Sequence, residues 1–472
     1  MRVKTAKMLD FTSGSIPRHL INFSYPLFLG NLLQSLYNAV DTMWVGKFLG
    51  PNSLAAVSVS FPIIFILVSL IIGLSMATTV LVGQYKGAKN ETMVKKTINN
   101  SMLLLSIAAG VLTVLGIVFH KAILILMNTP EAIMESASGY LIITFVGLIF
   151  VFGYNTLSAV LRGLGDSKTP LVFLLYTTVI NIVLDPIFIF GLGPIPRMGV
   201  NGAALATIVA QGISFYLAVR YLNRSNHLLA IKISQLKYDK DLTSKIFKIG
   251  LPAGLQHTVV ALGSTVVMSI TNTFGETIVA AWGAASKIDS FAFMPFMSIG
   301  LATSSLTAQN IGAGKTKRVI ETMKWSSLIA IIIAITTSIL IWFFPQELLR
   351  MFTDEMALLQ EGTAMLRILS LSYVPFSMLW VSNGVIRGAG DTFVIMIISI
   401  VSLWGIRIPL AYYLSGSTQL GSNGIWAAIS ISSTLSAIFS LLYYFSGRWK
   451  NKSIIQERFK VLETIQGDDD NK

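Results

Sequence analysis

Twelve apolar runs, each long enough to cross a lipid bilayer, leave this chain few architectures to adopt. They lie near 16–45, 54–82, 97–118, 136–160, 170–192, 199–221, 246–274, 278–308, 322–344, 362–386, 393–414 and 423–446. A hydrocarbon core about 30 Å thick takes about 20 helical residues to span, and only helices or closed barrels satisfy every backbone group inside it. Barrel strands would read as segments of about ten alternating residues. The runs here are continuous, so they predict an all-α polytopic membrane protein of twelve transmembrane helices. Composition agrees, since 53% hydrophobic and 12% charged does not suit a soluble surface on 472 residues.

The second half of the chain repeats the first. Gln84, Gly87 and Ala88 recur 225 residues later as Gln309, Gly312 and Ala313, and Arg162, Gly163, Gly165 and Asp166 recur as Arg387, Gly388, Gly390 and Asp391. Weaker echoes at nearly the same offset pair Pro26 with Pro252, Gly50 with Gly275, Ala55 and Ala56 with Ala280 and Ala281, and Asn201-Gly202 with Asn423-Gly424. One such match can be chance; six in register are not. Six spans per repeat give both copies the same orientation, so the two six-helix repeats are expected to be related by a parallel pseudo-twofold along the membrane normal.

Charge sets the orientation. A net charge of +13 would suit nucleic acid if it were clustered on one soluble face, but 28 cationic residues fall in alternate loops and the termini. The opposite loops hold four, Lys47, Lys121, Arg197 and Arg350. The positive-inside rule then puts both termini and the basic linker in the cytoplasm of a multi-pass cell-membrane protein. The expected domains are a cytoplasmic arm over 1–15, an N-lobe over 16–221, a linker over 222–245, a C-lobe over 246–446 and a polar, disordered tail over 447–472. No nucleic-acid partner is expected. The chain has no cysteine, which excludes disulfide and thiol chemistry.

Ionisable groups inside spans are costly and usually functional. On the first span Gln34, Tyr37, Asn38 and Asp41 stand at i, i+3, i+4 and i+7, one stripe that must face protein or water because lipid offers no hydrogen bonds. The amides equally suit helix-to-helix hydrogen bonding; Asp41 is the functional candidate. In the fifth span Asn181 and Asp185 share a face at i and i+4, with Thr177 one turn earlier and Pro186 directly after. Close carboxylates in low dielectric do not both stay charged cheaply, so one takes a proton or the two hold a cation such as Na⁺. The rival role for Asp185 is a structural cap. Lys287 and Asp289 do not share a helical face but can pair through neighbouring helices. Arg367 and Arg407 are expected to snorkel or bind backbone carbonyls, and His257 to make a structural hydrogen bond. The RGxGD motifs read as tight turns of the scaffold. At the second-half equivalents of Asp41 and Asp185 the chain has Val266 or Val267 and Ile408.

These motifs resemble the multidrug and toxic compound extrusion (MATE) family over about 14–446. The resemblance rests on Pro26 and Asp41 in the first span, QxxGA at 84 and 309, RGxGD at 162 and 387, NxxxDP at 181–186 and GVNGAALAT at 199–207. It implies a V-shaped pair of six-helix lobes exporting small organic, often cationic or amphipathic compounds in exchange for H⁺ or Na⁺. The implied transporter is monomeric and has no other cofactor. Residue by residue, the resemblance implies a cation or proton site of Asp41, Asn181, Asp185 and Thr207, bordered by Gln34, Tyr37, Asn38 and Asn155. Pro26 matches a position where the first helix bends. Absence of acids inside the seventh and tenth spans is similar to the DinF-like branch.

Three rivals define the alternatives, one of them a channel, whose symmetric pore the asymmetric acids suit less well than an exchanger. A lipid or lipid-linked saccharide flippase of related architecture would need a strongly cationic central cavity for its phosphate, and this chain has few intramembrane Arg or Lys. An intramembrane enzyme would need a reactive constellation, and neither HExxH nor GxSxG occurs.

Overall fold

The computed structural model describes residues 8–225, 230 and 236–452. Residues 1–7 of the N-terminal arm, part of the basic linker and residues 453–472 of the tail expected to be disordered lie outside the described residues. Every apolar run becomes helix, and no strand occurs among the described residues. The first half supplies α1 (Ile16–Leu49), α2 (Pro51–Gly87), α3 (Glu91–Leu126), α4 (Glu131–Gly163), α5 (Lys168–Phe190) and α6 (Val200–Ser225). The second begins with α7 (Lys240–Asn272), α8 (Glu276–Gly312), α9 (Thr316–Phe343) and the short α10 (Pro345–Leu349). It continues with α11 (Met356–Ser370), α12 (Tyr373–Ala389), α13 (Thr392–Ile400), a π-helical stretch over Val401–Arg407, α14 (Ile408–Gly416) and α15 (Ser422–Phe445).

Ten of the spans, 23 to 37 residues long, are apolar enough to cross a membrane outright. The tenth span is broken instead, α11 and α12 meeting at 50°. With α1, whose polar stripe lowers its apolarity, the count is twelve. A helix of 37 residues is about 55 Å long at 1.5 Å per residue, so the longest helices extend well beyond the hydrocarbon. Large apolar side chains stay exposed along the helices, Val118 at 63%, Ile125 at 65% and Phe445 at 74%. A soluble protein would bury such a continuous apolar exterior; lipid covers it here.

The chain forms two compact units, one containing Leu29–Val82 and Asn90–Gly254, the other Asp10–Phe28, Gly83–Lys89 and the chain from Leu255 onward. Within the first, α4 packs on α3 and α6, and α5 on α6. Within the second, α12 packs on α9 and α15, and α14 on α15. These are the same neighbours shifted by one repeat.

The repeated motifs mark places where backbones must touch. A Cβ on Gly87 would stand 1.9 Å from the Gln309 carbonyl oxygen, and one on Gly312 would stand 1.8 Å from that of Gln84. The two QxxGA segments therefore pack against each other, each glycine admitting the other's backbone. Gly163 meets the Thr79 carbonyl and Gly388 that of Ser304 in the same way, at 2.7 and 2.5 Å from a notional Cβ. The second RGxGD glycines, Gly165 and Gly390, adopt φ of 85° and 96°, the left-handed region that ends a helix. Asp166 then accepts from the Lys168 and Thr169 amides, both at 3.0 Å, starting α5. Its counterpart Asp391 accepts from the Tyr443 hydroxyl instead. The motif is scaffold in both copies, as its glycine and carboxylate chemistry requires.

Candidate functional site

Three helices of the first unit bring the sequence-predicted residues together. Tyr37 on α1 donates its hydroxyl to Thr207 Oγ1 on α6 at 3.1 Å. Asn181 Nδ2 on α5 donates to Asp185 Oδ1 at 3.0 Å and to Thr207 Oγ1 at 3.4 Å. Thr207 is thus the node at which α1, α5 and α6 meet. Asp41 follows Tyr37 by one helical turn on the same face. Asn181 and Asp185 are fully buried, Tyr37 is buried, and Asp41 is half-buried with Oδ1 enclosed.

What distinguishes the cluster is what its oxygens lack. Asp41 Oδ1, Asn181 Oδ1 and Asp185 Oδ2 are all buried without a hydrogen-bond partner. An ionised carboxylate oxygen only accepts, and a buried acceptor without a donor costs about 1–3 kcal/mol, more when charged. Asp41 and Asp185 also lie within electrostatic reach of each other. Two acids, an amide oxygen and a threonine hydroxyl form a hard-oxygen set suited to a proton or an alkali cation.

The other predicted residues are placed differently. Gln34 and Asn38 pair with each other at 3.2 Å on an exposed face of α1. Asn155 donates to the Val151 carbonyl of its own helix at 2.8 Å and makes no side-chain bond to the cluster. Thr177 likewise bonds back to Phe173 O. Pro26 is buried inside α1, which continues helical through it. Sequence reasoning missed Tyr140 on α4, which lies within electrostatic reach of both Asp41 and Asp185. A lone tyrosine in an apolar run carries no periodic signal to find it by.

The second-half charges differ from expectation in detail. Arg367 does bind a backbone carbonyl, that of Trp342 at 3.3 Å. Arg407 neither snorkels nor binds a carbonyl: its guanidinium donates to the hydroxyls of Ser432 and Ser433 at 2.8 and 3.0 Å, because α15 presents two buried serines to the end of the π-helical stretch. Lys287 stands over the Phe352 ring and does not pair with Asp289, which accepts from Tyr373 at 2.7 Å. His257 leaves Nε2 buried and unpartnered, contrary to the expected structural bond.

The MatE family model matches the chain twice, over residues 26–187 and 252–413, the two copies of the repeat. Among curated proteins, the probable multidrug resistance protein YpnP of Bacillus subtilis is 35% identical over 453 residues, covering 96% of this chain and 100% of its own length. YoeA of the same organism, of the same description, is 34% identical over 93% of this chain and 96% of its own length. The FAD transporter of Shewanella oneidensis is 27% identical, covering 92% of this chain and 95% of its own length. Among solved structures, MATE crystallised in straight and in bent conformations superposes with a TM-score of 0.87 at 25% identity, covering 95% of this chain and 99% of that one. On the doubled family match and the curated relatives together, the chain belongs to the MATE family of multidrug efflux transporters, membrane carriers and not enzymes.

Proposed function

We propose that this protein is a secondary active antiporter that exports small organic compounds in exchange for H⁺ or Na⁺ by alternating access. Asp41, Asn181, Asp185 and Thr207 form the coupling site in this reading, and the carrying observation is the set of three buried, donorless oxygens on the first three of them. A coupling ion supplies the positive charge those oxygens lack. Gln34, Tyr37, Asn38 and Asn155 border the substrate path, Gln34 and Asn38 from an exposed face. Pro26 is the point where α1 bends when the site fills, a role supported by its missing backbone donor and by a solved relative recorded both straight and bent. The uneven loop charge supports cytoplasmic termini in the cell membrane. The lack of acids over residues 246–274 and 362–386 supports a DinF-like carrier, which we read as monomeric; Glu361 on α11 lies just before the second stretch.

Exchange requires that ion and substrate favour different states. Ion entry from outside at Asp41 and Asp185 expels substrate; ion release inside readies the site for the next molecule. The test is efflux of a fluorescent organic cation from proteoliposomes under an imposed pH gradient and, separately, under a Na⁺ gradient. One gradient alone should drive efflux, and that gradient names the ion. Equal efflux with no gradient, or none under either, sinks the reading.

A further inference from the structure

The cluster on α1, α5 and α6 is closed on one side by an apolar layer with a single polar side-chain atom. Fully buried Val45, Ile189 and Ala203 pack together there, with Trp44 and Phe190 against them. Each of the three stands one helical turn from a residue of the cluster. Val45 follows Asp41 by four positions on α1, Ile189 follows Asp185 by four on α5, and Ala203 precedes Thr207 by four on α6. The three helices thus pass from the cluster into the layer together. Apolar side chains offer an ion or its hydration shell nothing, so the layer seals the cluster at that end except where the Trp44 indole carries its N–H.

Packing fixes the Trp44 ring but does not use that N–H. The ring centroid lies 5.0 Å from that of Phe48 and 6.0 Å, edge to face, from that of Phe190, so two aromatic neighbours hold its plane. A buried indole N–H ordinarily finds an acceptor, yet Trp44 Nε1 is buried with none. Three residues earlier on the same helix, Asp41 Oδ1 is buried with no donor. Side chains at i and i+3 are neighbours, about 5–6 Å apart at Cβ, and a helical side chain leans back over the turn before its own. An orphaned donor and an orphaned acceptor therefore stand side by side. Each alone is costly; one rotamer change or one bridging water satisfies both.

We propose that Trp44 is a positioning residue of the coupling site, its indole N–H holding the Asp41 carboxylate, directly or through one water, after the coupling ion has left. The ion and the indole compete for the same oxygen. A bound ion supplies the positive charge that Asp41 Oδ1 needs and frees the N–H; on release the N–H takes the oxygen back, so the empty site does not strand a bare carboxylate in the protein interior. The inference rests on the reading of Asp41 as a coupling residue.

The test measures dye efflux from proteoliposomes of the full-length protein while pH or, separately, Na⁺ concentration is varied on the side from which the ion enters. The quantity read is the ion concentration that gives half-maximal efflux. In one variant Trp44 is replaced by benzothienylalanine, which keeps the bicyclic ring and puts sulfur in place of the N–H; the other is Trp44→Phe. Without the donor the empty site loses its partner and the ion binds more tightly. The half-maximal concentration should fall about tenfold in both variants, the worth of one hydrogen bond to a charged group, while the thermal unfolding midpoint of the isosteric variant stays at the wild-type value. A role in packing alone predicts the reverse, a midpoint that falls in Trp44→Phe and a half-maximal concentration that stays. An unchanged or increased half-maximal concentration in the isosteric variant overturns the proposal, and if that variant does not fold, Trp44→Phe decides by the same criterion. Wild-type efflux indifferent to both gradients overturns the coupling reading and this inference with it, whereas a gradient-driven wild type with unshifted variants overturns this inference alone.

Discussion

The two copies of the repeat share a scaffold and differ in the chemistry placed on it. In the first, α5 and α6 carry Asn181, Asp185 and Thr207, an oxygen-rich set with donors missing. In the second, the matching stretch from the π-helical segment through α14 and α15 carries Arg407, a cation that gives two of its five N–H donors to Ser432 and Ser433. Aligning Pro186 with Pro409 puts Ile408 where the first copy has Asp185, and Arg407 one residue earlier. One position along a helix turns a side chain by about 100°. The repeated segment, α-helical in the first copy and π-helical up to Arg407 in the second, thus presents an acid to one set of neighbours and a guanidinium to another. Duplication preserved what packing demands, the glycines of QxxGA and RGxGD, and left the polar positions free to diverge.

That contrast is sharpest in transport. Asp41→Asn should reduce gradient-driven efflux to the level of empty liposomes while the protein remains in the membrane, measured by dye efflux beside immunoblotting of the membrane fraction. Asp289→Asn, in the second copy, should leave efflux dependent on the gradient. If the two variants behave alike, the division of labour between the copies collapses.

The shared scaffold makes the next prediction symmetric. Gly87→Ala and Gly312→Ala each drive a methyl into a carbonyl 1.9 or 1.8 Å away, and overpacking of this kind costs about 1–3 kcal/mol or more. Both should lower the thermal unfolding midpoint in detergent by similar amounts. Gly110→Ala and Gly283→Ala, with nothing within 4 Å of the new methyl, should instead hold the midpoint or raise it, by the equivalent of at most about 1 kcal/mol of stability. A tolerant Gly312 would mean the two QxxGA segments do not meet.

Tyrosine hydroxyls sharpen the comparison at smaller scale. Tyr37→Phe removes the donor to Thr207 and Tyr373→Phe the donor to Asp289, each at about 1–2 kcal/mol. Titration of ion binding should change in the first variant and stay as wild type in the second. Smallest is the cap of α3: Asn90 accepts from the Met93 amide at 3.0 Å, and Asn90→Ala should cost about 1 kcal/mol by thermal unfolding. Its repeat partner Lys315 makes no side-chain cap on α9, so Lys315→Ala should leave that helix start unchanged, as amide exchange over Thr316–Val319 would record.

Much of this was legible in the chain itself, because the signals are local. Apolar length counted the spans, including those later found broken at Leu371 or wound as a π-helix at Val401. Helical spacing set Tyr37 beside Asp41 and Asn181 beside Asp185. Asn155 shows the limit: a polar residue at a familiar place satisfied by its own helix at Val151. Tyr140 shows the converse, a member of the neighbourhood with no pattern around it.

The sequence alone determined the membrane class, the twelve helices, the repeat and the faces on which the polar side chains stand, since each follows from hydropathy and a period of 3.6 residues. Only the tertiary structure decided which faces meet. Tyr37 finds Thr207 across 170 residues and Asp289 finds Tyr373 across 84, distances over which no local period acts. It also decided which oxygens keep no partner, because a missing hydrogen bond is a property of everything packed around an atom and not of the residue that carries it.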